Sequence, residues 1–104
     1  MHELPELPDV PTLAAFSPCV GQAFRLEVEG GDALELELIE AETLPAHKGS
    51  PRQEPFCLVF RGPAGCNLPQ NTYTLTHGQL GTIPVFLVPI GKKEECLLLE
   101  AVFN

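Results

Sequence analysis

Eleven prolines and nine glycines interrupt a chain of only 104 residues. Proline cannot donate to a hydrogen-bond ladder, and either residue weakens the interior of a regular element. Long helices are therefore not expected, and short strands joined by turns are. The stretch Pro55 to Pro63, reading PFCLVFRGP, states this most clearly. Phe56, Leu58 and Phe60 fall on one face of an extended strand and Cys57 and Val59 on the other, so the strand is apolar on both sides and belongs in the middle of a sheet. Pro55 and Gly62-Pro63 mark its start and stop.

Upstream, the period is two with one dry face. Phe24, Leu26 and Val28 alternate with Arg25, Glu27 and Glu29, and Leu34, Leu36 and Leu38 alternate with Glu35 and Glu37. A one-residue slip would invert a whole strand, so keeping all six apolar residues inside requires an odd loop, most simply Gly30-Gly31-Asp32. That loop pairs Val28 with Leu34, Leu26 with Leu36 and Phe24 with Leu38. It sets Arg25 opposite Glu37 and Glu27 opposite Glu35, and it expects one glycine at positive φ.

The rest of the chain follows the same grammar. Residues 1–11 mix leucine, proline and acid and read as an extended or disordered leader, ahead of an all-β domain over 12–104. Thr12 N-caps one helical turn that faces Leu13 and Phe16 to the core, a lid for one end of a sheet. Residues 44–54 read as a surface loop and 63–70 as a second one. Thr72 to His77 and Thr82 to Val88 read as strands, with Pro84 demanding an edge, bulge or irregularity. Gly91 to Glu95 is a charged turn and Cys96 to Phe103 the last strand. The fold class is all-β: a single small antiparallel sandwich or barrel of about six strands with a short N-terminal helical turn.

Charge removes some function classes. Fourteen acidic against six basic residues leave a net charge of −8 with no cationic cluster, which opposes binding to nucleic acid or an anionic membrane. The start of the chain has neither the basic residues nor the apolar run of a secretory signal, and the longest apolar run, Ile83 to Ile90, holds two prolines, so a cytoplasmic protein is expected. Cys19, Cys57, Cys66 and Cys96 are then free thiols outside any CxxC pair, with Cys57 and Cys96 as core residues and Cys66 exposed.

No catalytic constellation stands out. His2, His47 and His77 lie in a leader, a loop and a strand end, and no serine sits on a glycine-flanked elbow. A metal site from Cys66, His47 and His77 has no supporting spacing, and no glycine-rich loop leads into a helix to hold a phosphate, so neither enzyme activity nor a cofactor is expected. Arg61 leaves a two-faced strand at the end of the sheet. It reads either as the partner of a glutamate such as Glu100 or as a recognition residue, with Gln70, Tyr73 and His77 sharing its end or rim. The uncharged strand Thr72 to His77 reads as an unprotected edge able to accept a strand from another protein.

The segments FSPCVGQAFRL, PFCLVFRGP, LPQNTYTLTHGQLG, VFLVPIG and EAVFN, taken in this order from Phe16 to Asn104, resemble a family of small bacterial domains of unknown function. Members are often encoded beside phage-tail-collar-like proteins, which implies an accessory or assembly role, and the resemblance brings no catalytic residues. Leu99 stands where the pattern has an aromatic residue, and the four cysteines lie outside it. The expected function is a non-enzymatic protein-interaction or assembly module whose partner is another protein. The alternative is a small-ligand-binding barrel with a cavity lined by Phe24, Phe56, Phe60, Tyr73 and Phe86.

Overall fold

The computed structural model describes residues 12–28, 33–45 and 55–103. The leader, the glycines of the first hairpin loop and His47 lie outside the described residues. A short helix α1 (Leu13–Phe16) runs into a 3-10 turn over Ser17–Cys19, and six strands follow: β1 (Ala23–Glu27), β2 (Leu34–Thr43), β3 (Phe56–Ala64), β4 (Asn71–His77), β5 (Gly81–Lys93) and β6 (Cys96–Phe103). They close into an antiparallel barrel in the order β1-β2-β3-β6-β5-β4. No helix among the described residues is long and apolar enough to cross a membrane.

Closure gives every strand one inner face, and the leucines and phenylalanines fill it. Phe24, Leu26, Leu36, Leu38, Phe56, Leu58, Phe60, Leu87 and Leu99 are fully buried. A barrel of about eight strands is just wide enough for side chains to fill, so six strands enclose a packed core. Phe24 meets Phe60 edge to face at 5.4 Å between ring centroids. The proposed cavity lining is not assembled, because Phe86 points outward and is 51% exposed.

Both barrel ends are plugged. At one end Thr12 caps α1, its Oγ1 accepting from the Ala15 N–H at 3.3 Å, and α1 presses the buried Phe16 ring onto Phe24, Phe56 and Phe103 at 5.9–6.2 Å. The helical lid read from the sequence is thus in place, although its thiol was missed: Cys19, in the next turn, is the buried cysteine. At the other end the loop after β3 folds inward. Leu68 is buried, Cys66 packs against the core, and a Cβ added to Gly62 would stand 3.2 Å from the Cys66 sulfur and 3.4 Å from Leu36. Cys66 is therefore half-buried and not exposed as the loop position suggested, while Cys57 and Cys96 are half-buried and not core residues.

The first hairpin keeps the predicted faces but not the predicted partners. Phe24 pairs with Leu36 and Leu26 with Leu34, two residues from the expected register. The parity argument could fix the odd loop but not its length. Arg25 consequently lies opposite Glu35 and not Glu37. Beyond Leu38 the ladder slips by one residue before Glu40, a bulge that turns Glu40 outward and lets Ala41 pack against the core where strict alternation would have buried a carboxylate.

Other boundaries differ in the same local way. β3 continues through Gly62-Pro63 to Ala64 across a second register shift. β5 runs to Lys93 through a third, at Pro89/Gly91, where Gly91 adopts φ 149°. The charged turn shrinks to Glu94-Glu95, both at positive φ, 53° and 70°. β4 pairs with β1 on one side and β5 on the other, so it is not an edge, contrary to the sequence reading.

Two measurements check this account. Phe60→Ala is expected to cost about 3–5 kcal/mol in urea unfolding and Phe86→Ala less than about 0.5 kcal/mol, since one ring is inside and the other out. Glu95→Gly relieves a left-handed residue in the turn and is expected to stabilise by about 0.5–1 kcal/mol in the same assay.

Candidate functional site

The four residues singled out by sequence do not meet. Strand direction places Tyr73 near the start of β4, at the end holding Cys66 and Leu68, and His77 at its last residue, near α1. Arg61 lies on the outer wall, paired in register with Glu37 and Leu98. Gln70 is exposed in the loop before β4.

Each of the other three is committed to structure. The Arg61 guanidinium donates to the Glu37 carboxylate with both side chains roughly two-fifths exposed, so the ion pair is genuine but its partner is Glu37, not Glu100. Register explains the choice, since Glu37 is directly across the ladder whereas Glu100 faces Val59. An exposed pair of this kind contributes about 0–1 kcal/mol. The Tyr73 hydroxyl donates to the Pro69 carbonyl at 2.6 Å and ties down the inward loop.

His77 is only 8% exposed and lies against Phe24, the ring centroids 4.6 Å apart and the planes tilted by 30°. Its Nδ1 accepts the N–H groups of Gln79 and Leu80 at 3.1 and 3.3 Å, so the proton sits on Nε2, which donates to the Gln22 Oε1 at 2.6 Å. Both ring nitrogens are used, and the residue closes the β4–β5 turn instead of presenting a base or ligand. Cys66 and His77 occupy opposite barrel ends, and no group of three or more His, Cys, Asp or Glu able to hold a metal occurs among the described residues.

The feature that sequence reasoning missed is the outer wall over β3, β6 and β5. Val102 pairs with Cys57 across β6 and β3, Val59 pairs with Glu100, and Glu100 pairs with Val88. Directly paired residues share a face, so Cys57, Val59, Val88 and Val102, with the neighbouring Leu98 and Phe86, lie on one outer face around the Glu100 carboxylate, an apolar field with a single acid inside it. Phe86, Ile90 and Val102 are about half exposed. Glu40 and Glu42 on β2 border it, paired with Val59 and Cys57. The signal was present in the sequence: β3, β5 and β6 are apolar in both phases, and a closed barrel can bury only one of them.

The acidic border is felt chemically at Cys57. Burial pushes its thiol above the ordinary 9.0, and Glu100, Glu42 and Glu40 push further in the same direction. Burial likewise raises the Cys66 thiol, partly opposed by Lys92, and raises the Tyr73 hydroxyl above its ordinary 10.0, with Cys66 adding to the effect.

These observations define a class, the closed six-stranded antiparallel barrel with a helical lid. The chain belongs to the family described as Domain of unknown function (DUF6916), whose model matches residues 11–103. Neither the comparison with curated proteins nor that with solved structures gave a match.

Raised folded-state values mean that the neutral forms are favoured by folding, so this contribution is complete below pH 9.0 and is lost as pH rises through the folded values. Stability is expected to fall as pH rises above 9.0, and less steeply in Tyr73→Phe, as read from thermal midpoints at increasing alkaline pH. His77→Ala is expected to cost about 1–3 kcal/mol, and long-range 1H–15N spectra of the wild type are expected to show the Nε2–H tautomer.

Proposed function

We propose that this protein is a non-enzymatic interaction module that binds another protein through the outer wall of β3, β6 and β5. The observation that carries the reading is the apolar field of Phe86, Val88, Leu98 and Val102 on the solvent side of a barrel whose inner face is already filled by other side chains. An isolated exposed apolar residue needs no explanation, but a group on two adjacent strands, β5 and β6, does, and protein contact is its usual use. Tyr73 and His77 hold turns and loops together, so the binding role falls on the wall, with Arg61 at its border. The resemblance of the sequence motifs to domains encoded beside phage-tail-collar-like proteins supports an accessory or assembly role in a phage-tail-like or surface-protein system inside the cell.

Photo-crosslinking in extracts of the native host tests this. A photoreactive residue at position 86 is expected to capture a discrete protein, and one at Glu35, on the opposite wall, is not. The double variant Phe86→Asp/Val102→Asp is expected to stay folded within about 1 kcal/mol of wild type and to compete poorly for the captured protein. Equal capture from both positions, or none from position 86, would count against the wall.

A further inference from the structure

The barrel wall has an opening along β5, and we infer that an extended, cationic segment of another protein adds there as an extra strand. This inference rests on the wall being the binding surface and specifies how the partner is held.

The opening follows from how β5 changes partners. Residues Gly81 to Leu87 pair with β4, but the ladder from β5 to β6 begins only at Val88. Thr74 pairs with Pro84, and proline cannot supply the N–H that a hydrogen-bonded antiparallel pair exchanges, so this is a non-hydrogen-bonded pair. Alternation then makes Thr76 and Thr82 another such pair, in keeping with their hydroxyls standing 3.4 Å apart. In such pairs the backbone groups point away from the paired strand. Thr82 and Phe86 therefore direct their N–H groups, and Pro84 its carbonyl, toward the β6 side, where no strand meets them among the described residues. All three residues are exposed.

Chemistry on either side of the opening selects the occupant. Phe86 lies along one lip and Val102, two residues beyond Glu100, along the other, both about half exposed. An added strand thus meets apolar side chains on its outward face, while its backbone meets the donors of Thr82 and Phe86. Glu100, Glu42 and Glu40 stand in the adjoining rows. Of the four described cations, Arg25 and Arg61 are engaged by Glu27 and Glu37, and Lys92 and Lys93 lie at the far end of β5. The wall accordingly favours lysine or arginine flanking the apolar centre of the incoming segment. A second copy of this chain would bring the same glutamates and a second Pro84, so like charge and a missing donor both oppose self-pairing. Pro84 thereby keeps the edge from adding strands indiscriminately, and a partner must offset the lost hydrogen bond with its side chains.

A peptide of about nine residues, alternating valine and threonine at its centre with two lysines at each end, is a suitable probe. Titrated into the full chain, it is expected to slow amide exchange at Thr82 and Phe86 at least tenfold and to shift their resonances together with those of Val102. Replacing its lysines by glutamates, or N-methylating alternate backbone amides, is expected to abolish both effects, and Pro84→Thr is expected to tighten binding severalfold. Shifts confined to Val88, Ile90 and Leu98 with unchanged exchange at Thr82 and Phe86 would overturn strand addition while leaving the wall as a binding surface. Equal binding of the glutamate peptide, absence of binding at millimolar peptide, or protection that rises with protein concentration alone would each overturn the inference; capture from position 86 in host extracts reads the wall independently.

Discussion

The constraint on which the structure depends is the short seam that joins the first strand to the fourth. Only Arg25, Leu26 and Glu27 pair with Thr76, Leu75 and Thr74, yet these contacts convert an open sheet into a barrel. In an open sheet, β1 and β4 would be edges, and the leucines of the inner face would need a second layer to cover them. With closure the inner face covers itself, and a single helical turn suffices to seal the end where Phe24, Phe56 and Phe103 converge on Phe16.

Closure also explains where polar groups go. His77 spends both nitrogens beside the Phe24 ring, Tyr73 spends its hydroxyl on Pro69, and the bulge after Leu38 turns Glu40 to water. Each satisfies a group that would otherwise lie unpaired at the rim of an apolar core. The same economy gives Arg61, Tyr73 and His77 structural duties among the described residues, whereas the apolar field outside has none.

Much of the fold was legible because period-two alternation is strict where only one face is dry. In β1 and the first part of β2 the glutamates alternate with leucines, and the inner set was identified residue by residue. Where both phases are apolar the pattern says nothing about which faces in. Ile83, Val85 and Leu87 went inside, and Phe86, no less hydrophobic, went out because its neighbours had the inner phase. Strand order was not legible either, since turns tell only which strands follow one another. That is why Thr72 to His77 read as an edge although β1 covers it, and why Arg61 was matched to Glu100 when Glu37 lies across from it.

The apolar outer wall was hidden for a related reason. A strand apolar on both sides reads as doubly buried in a sandwich, whereas in a barrel the second side is the outside. The two interpretations differ solely in whether the sheet closes, so the seam is the place to measure. Interstrand NOEs between the α-protons or amides of Leu26 and Leu75, with slow amide exchange in both strands, are the result this account requires. Absence of those NOEs, with β1 amides that face away from β2 exchanging as fast as those of Thr82 and Phe86, would show an open sheet and contradict it.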